Sequence, residues 1–203
     1  MKKILLAACL TAISGTAFAQ QTVKADAATV DRYVQSMWAK ASPEWKARVV
    51  QDETQAECSV ARNNPSPAQF EKITAREKAA VVFPADGKVL GDWKSGAKVA
   101  NTGTGGQFSD GPGTYIGGNC YACHQMAPAE LSFGTLGPSL TGYGKARNFS
   151  AEEAKAAYAK IYNAQSVMAC SQMPRFGHNK FLTEQQIKDV TAFLFDPDSP
   201  VNK

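Results

Sequence analysis

The sequence predicts an all-α protein. Apolar residues recur at intervals of three and four in several segments, Ser, Asp and Thr cap signals precede those segments, and no run alternates with the period of two that a half-buried strand requires. The first such segment holds Val30, Tyr33, Val34, Met37, Trp38 and Ala41. Ser42 and Pro43 then read as an N-cap and first-turn proline of a second helix, running through Trp45 and Val49 toward Cys58. Asn63-Asn64-Pro65 stops it, and Ser66-Pro67-Ala68-Gln69 restarts with a capping box for a helix reaching about Ala80. Pro84-Ala85-Asp86-Gly87 reads as a boundary. Beyond it, Asp92 caps a short helix carrying Trp93, Gly96, Val99 and Ala100. Residues 101–119 are rich in glycine without periodicity and read as a loop, as does the Gly/Pro stretch from Gly134 to Gly144. Ser150-Ala151-Glu152-Glu153 and Thr183-Glu184-Gln185-Gln186 are capping boxes. The first opens a helix with Ala154, Ala157, Tyr158 and Ile161. The second opens one with Ile187, Val190, Phe193 and Leu194, ended by Pro197 and Pro200.

The N-terminus has the pattern of an export signal over residues 1–19. Lys2 and Lys3 precede an apolar stretch from Ile4 to Ile13, and Ala17-Phe18-Ala19 is a small-x-small cleavage site. Cleavage before Gln20 leaves 184 of the 203 residues. Leu6-Ala7-Ala8-Cys9 is a competing lipobox-like reading, which leaves an apolar stretch of only five residues before the Cys. No later run approaches the length of a transmembrane helix, so with the export signal the expected location is outside the cytoplasm, in the periplasm if the cell is Gram-negative. Removing Lys2 and Lys3 from the 22 basic residues leaves 20 against 18 acidic ones, a balance that points to neither nucleic acid nor an anionic membrane as partner.

The chemistry is concentrated in Cys120-Tyr121-Ala122-Cys123-His124. Cys-x-x-Cys followed at once by His is the attachment signature of a c-type haem. The two thiols add to the two porphyrin vinyl groups as thioethers, and His124 ligates the iron. A thioredoxin-like pair or half a zinc site shares the Cys-x-x-Cys but needs no adjacent His, and a zinc site wants a second ligand pair where this chain offers only His178. Cys58 and Cys170 remain. In an oxidising compartment an even pair suggests a disulfide joining the N-terminal half to the haem domain; the alternative is two buried free thiols.

The sixth iron position decides the chemistry. Met126 is too close to His124 to reach the other face of the ring, and Met37 lies far upstream. Met168, Cys170, Met173 and His178 remain. Met173 is the expected ligand, because Pro174 holds the backbone out of helix while Phe176 and Gly177 supply an aromatic wall and a bend. His178 is the rival, otherwise a loop histidine or hydrogen-bond partner. His124 also needs an acceptor for its other ring nitrogen, and a carbonyl of Gly137-Pro138-Ser139-Leu140, with Pro138 stiffening the loop, is the candidate. Ligation by nitrogen and thioether raises the potential and closes both faces, which favours electron transfer over oxygen or peroxide chemistry.

Gly96 to Ala100, Cys120 to His124, Gly137 to Gly142, the Met173 strap and the last helix resemble a class I cytochrome c. The sequence is expected to be such a domain at 87–203, preceded by a helical extension at 20–86. Within that class, Gly118 to Gln125, Gly137 to Leu140, Met173 to Gly177 and the tail Asp196 to Asn202 resemble the SoxX family of monohaem cytochromes from thiosulfate-oxidising bacteria. The resemblance runs from about Gly87 to the C-terminus and is weaker before it. The Gly-rich insertion between the first haem-domain helix and Cys120 departs from the class. The resemblance implies one covalent haem c held by Cys120, Cys123, His124 and Met173 with Pro138 behind His124, and no catalytic residue on this chain. It implies a heterodimer with a SoxA-type haem subunit that carries the active-site cysteine. That complex, an L-cysteine S-thiosulfotransferase, oxidatively couples thiosulfate to a cysteine of a SoxYZ-type carrier. This chain would pass the electrons to a soluble acceptor cytochrome. Tyr33, Trp38, Trp45 and Phe70 make the extension a candidate docking arm, with an accessory bundle buttressing the haem domain as the alternative. A free-standing electron shuttle and a peroxidase or gas sensor with an open sixth site are the competing functions.

Overall fold

The computed structural model describes residues 26–203. The export signal, its cleavage site and Cys9 lie outside the described residues. The chain divides into two compact units between Val49 and Val50. The first contributes α1 (Ala27–Met37), capped by the Asp26 carboxylate on Thr29 N, and α2 (Pro43–Arg48), with Pro43 at its start. Within this unit Trp38 stacks on Trp45 at 6.5 Å between ring centroids, and the Arg48 guanidinium lies 4.1 Å from the Trp45 ring.

The second unit takes in the haem motif and also α3 (Glu53–Val60) and α4 (Pro67–Ala79). The sequence alone places both helices in an extension ending at residue 86. The compact unit instead begins at Val50, because a covalent bond and buried polar contacts tie α3 and α4 to residues 163–178. The single helix expected from Pro43 toward Cys58 is two, since the chain breaks after Arg48 and Asp52 opens α3 with a full capping box to Gln55. Asp52-Glu53-Thr54-Gln55 is the signal that marks this break.

The haem-domain core is built on α5 (Trp93–Asn101), α6 (Ala151–Tyr162) and α7 (Glu184–Phe195). Asp92 caps α5 on Ser95 N, and Thr183 and Gln186 form a reciprocal box at α7. The Ser150 box is only half formed. Ser150 accepts from Glu153 N, while the Glu153 carboxylate faces Arg147 at 3.3 Å instead. α5 crosses α7 at Gly96, where a Cβ would fall 2.0 Å from the Asp189 carbonyl oxygen. Only a residue without a side chain allows the backbones this close. Val99, Ala100, Tyr158, Ile187, Val190, Phe193 and Leu194 fill the core between these helices. No strand occurs among the described residues, and none of their helices is long and apolar enough to cross a membrane.

The Gly-rich insertion closes on itself. Gly117 N donates to Thr104 O at 3.0 Å, Asn119 N to Thr102 O at 3.0 Å and Gly118 N to Val99 O at 2.7 Å. The loop therefore leaves the end of α5 and returns to it, and the haem motif starts beside that helix despite the intervening residues. The tail is tied equally firmly. Asn202 Oδ1 accepts from Gly144 N and Lys145 N at 3.0 and 3.1 Å, and its Nδ2 donates to Leu194 O and Asp196 O at 3.1 and 2.9 Å.

Candidate haem site

Asn119 adopts a left-handed conformation at φ 50° and turns the chain into a short 3-10 turn, Cys120–Ala122. Asparagine tolerates that region better than most residues. His124 N then donates to Cys120 O at 2.9 Å, so both cysteines and the histidine belong to one compact turn. Cys120 and Cys123 are free thiols, each half-buried. Burial pushes the Cys120 thiol up to about 12. A thioredoxin-like pair needs the reverse, a thiol lowered toward neutral pH. No three His, Cys, Asp or Glu side chains converge as a metal cluster among the described residues.

The loop at Gly134 to Leu140 wraps this turn. Gly134 N donates to Tyr121 O, Gly137 N to Cys123 O and Leu140 N to Gln125 O, each at 2.8 Å. It brings Pro138 to His124, whose Nδ1 lies 2.7 Å from the Pro138 carbonyl oxygen. A carbonyl only accepts, so Nδ1 carries the proton and donates. The lone pair of Nε2 is thereby left for iron. Gly137 lies so close to the imidazole that a Cβ there would meet Cε1 at 2.2 Å. Two free thiols separated by two residues on one turn, an imidazole whose Nδ1 donates to Pro138 and a side-chain-free cradle behind it fit a covalently held haem.

The sequence-nominated candidates for the sixth position are dispersed. Met126 is buried in the core at 2% exposure. Cys170 is bridged to Cys58, with Cα atoms 5.3 Å apart. Met168 is more than half exposed. The His178 backbone N donates to Tyr162 O and its ring faces Asp52 at 3.9 Å. Met173 is half-buried and packs, with Cys120, Tyr121, Leu140, Tyr143 and Phe181, against the same core. Phe176 and Gly177 anchor the strap that carries it: Gly177 N donates to Tyr162 O at 2.9 Å, and Phe176 O accepts from Phe181 N at 2.8 Å.

Sequence reasoning missed Arg175, which is 4% exposed. It pairs with Glu77 Oε2 at 3.2 Å and with the Asp52 carboxylate. Glu77, itself buried, also accepts from Thr54 and from Asn163 Nδ2, the latter at 2.7 Å. An arginine in a Met-Pro-x-Phe-Gly strap reads as a surface charge when nothing local can bury it. Its partners lie 98 and 123 residues upstream.

Fold and site together define a helical protein with a crossed helix pair and a Cys-x-x-Cys-His turn that fits a covalently held haem. Residues 108–196 match the cytochrome c family. The chain is also 38% identical over 189 residues to an uncharacterized lipoprotein of Aquifex aeolicus (strain VF5), an alignment covering 91% of this chain and 87% of that protein. It therefore carries a cytochrome c domain, belongs to one family with that lipoprotein, and has haem c as its covalently bound cofactor. The cytochrome c domain gives it a role in electron transfer.

Proposed function

We propose that this chain is a His/Met-ligated electron relay, with His124 and Met173 as axial ligands, serving the oxidative coupling of thiosulfate to a carrier-protein cysteine. The observation that carries the ligand reading is the distribution of soft donors. Cys170 is consumed by a disulfide, Met126 is sealed in the core, Met168 is turned out, and Met173 is half-buried against the same core cluster as Cys120. Haem supplies a one-electron acceptor and donor. The protein's part is to hold the His124 proton on Nδ1 through Pro138, to present a thioether and to keep other ligands away. Thioether sulfur favours the ferrous state, which suits an acceptor of electrons from a sulfur-oxidising partner. In Met173→Leu the weak near-infrared thioether-to-iron band of the ferric protein is expected to vanish; persistence of the band would reject the assignment.

The thiosulfate reading is supported by the strap Met173 to Gly177 and the tail Asp196 to Asn202, which resemble the SoxX family. In it, a SoxA-type haem subunit brings the active-site cysteine, and electrons released as the S–S bond forms pass through this chain to a soluble cytochrome. Native purification tests it. A larger haem protein should co-purify, and the pair should reduce this haem only when thiosulfate and the carrier are both present. Recovery as a lone cytochrome would favour a free-standing shuttle. The docking arm is narrowed to residues 20–49, whose removal leaves the Cys58–Cys170 bridge intact; unchanged co-purification would exclude it as a partner contact.

A second reading concerns attachment. The description of the Aquifex relative as a lipoprotein supports the lipobox-like Leu6-Ala7-Ala8-Cys9 over cleavage before Gln20. The mass of the mature N-terminus separates a lipidated Cys9 from a free Gln20.

A further inference from the structure

We propose that α3 and α4 form a clamp that positions the Met173 sulfur, with Arg175 and the Cys58–Cys170 bridge as its two grips. This rests on Met173 being the iron ligand. Met173 lies in a non-helical segment, and its backbone N donates to Ser171 Oγ at 3.2 Å. Such a strap has no intrinsic stiffness beyond that of Pro174. The structure restrains it on both sides.

Three residues before Met173, Cys170 is bonded to Cys58 on α3. Its backbone N donates to the buried Gln165 side chain at 3.2 Å, and it sits at φ 60°. A left-handed non-glycine residue persists where its surroundings over-determine it. Two residues after Met173, Arg175 enters a buried polar pocket. Glu77 of α4 meets it at 3.2 Å, and Asp52, the N-cap of α3, meets it from the other side. Glu77 is locked in turn by Thr54 of α3, by Asn163 at the end of α6 and by Arg76 at 3.8 Å. Both grips thus reach the same helix pair, and neither helix carries a residue of the haem motif.

The chemistry of the grip is informative. An apolar side chain in place of a buried ion pair is often as stabilising or more so, so stability alone gives little reason to keep an arginine there. What the pair adds is a single register, because a guanidinium between two fixed carboxylates has one seat. A thioether is a weak ligand, and a constellation of this kind needs its geometry held to about 0.5 Å by supporting contacts. The bridge and the ion pair together set where the strap can place sulfur.

The test uses the full-length protein matured with its haem attached. Wild type, Met173→Leu, Arg175→Met, Arg175→Lys and the Cys58→Ala/Cys170→Ala double variant are compared. Readouts are the ferric near-infrared band, the reduction potential, carbon monoxide binding to the ferrous form and helical circular dichroism. The clamp predicts that Arg175→Met and the double cysteine variant keep attached haem and helix content. They should lose at least half of the band, drop in potential and bind carbon monoxide at least tenfold more readily than wild type, and Arg175→Lys should recover part of the band. If these variants keep the full band and exclude carbon monoxide, the clamp is refuted while the ligand assignment stands. A wild-type protein without the band, or a Met173→Leu variant that retains it, would refute the ligand assignment and the clamp with it. Should Arg175→Met fail to accumulate, Arg175→Lys and the cysteine variant decide by the same readouts.

Discussion

Gly137 sits against the face of His124, so that a Cβ built on Gly137 would lie 2.2 Å from Cε1 and 2.5 Å from Nδ1 of the imidazole. The neighbouring Pro138 carbonyl accepts from that same Nδ1. One short loop therefore fixes both the position of the ring and the nitrogen that carries its proton. Gly137→Ala should push the ring off its seat and break the Pro138 contact. The expected result is a several-fold lower yield of haem-attached protein and a shifted ferrous absorption band, read from absorbance per mole of polypeptide. Normal yield and spectrum would show that the loop gives way instead.

The α5–α7 crossing makes the same demand on backbone approach. At Gly96 a Cβ would meet Asp189 O at 2.0 Å and Phe193 Cβ at 2.9 Å, neither of them the free end of a flexible chain. Gly96→Ala must separate the helices, and overpacking of this kind costs about 1–3 kcal/mol. The thermal unfolding midpoint should fall by about 2–12 °C, at about 2–4 °C per kcal/mol for a unit of this size. An unchanged midpoint would mean that the crossing absorbs a methyl group without cost.

Asn202 joins the tail to two other segments through four hydrogen bonds, to Gly144 N, Lys145 N, Leu194 O and Asp196 O. Asn202→Ala strips buried backbone groups of partners, at about 1–3 kcal/mol for each one left unsatisfied. Urea unfolding should show a loss of about 3 kcal/mol with an unchanged slope. Asn202→Asp keeps the acceptor and loses the donor, so it should fall between the two.

Glu77 makes acid stability specific. Burial pushes its carboxyl up, but hydrogen bonds from Asn163 and Thr54 and the Arg175 charge outweigh this and hold it below its ordinary value of 4.5. Asp52 is likewise held below 3.8; there burial is again the largest influence, outweighed by the Gln55 backbone N–H, Arg175 and His178. The unfolded chain therefore takes up protons before the folded one does. The stabilisation is complete above those ordinary values and fades as the pH falls through the lower folded ones. Glu77→Gln leaves Arg175 with Asp52 alone and should cost about 2–3 kcal/mol at neutral pH, somewhat less than full loss of a buried pair. The gap between the two proteins should narrow below about pH 4.5 as wild type protonates. A gap that stays constant down to pH 3 would place the effect in shape rather than charge.

Much of this molecule was legible one segment at a time. Thr183 with Gln186, Ser66 with Gln69 and Asp92 with Ser95 are caps whose partners lie three residues away, so pattern and geometry are the same information. The haem turn is legible for a like reason, since both thiols and the imidazole fall within five consecutive residues. The break before α3 is hidden in the sequence because Trp45, Val49 and Cys58 suggest one continuous helix across it, and Asp52 overrides that pattern only when its capping bonds form. The Glu153 side chain was claimed by Arg147 rather than by its own cap, a choice between two nearby charges that no spacing rule makes.

What the sequence determined by itself is the local chemistry: where helices begin, and which five residues make up the haem-attachment motif. The tertiary structure alone decided that Cys58 meets Cys170 across 112 residues, that Arg175 is buried between Glu77 and Asp52, and that α3 and α4 belong with the haem rather than apart from it. The reason is physical. A cap or a covalent motif is closed by a few bond rotations. A contact between distant residues exists only after the whole chain has met the entropy of closing the loop between them, and the side chains that reward that closure look alike whether they end up buried or exposed.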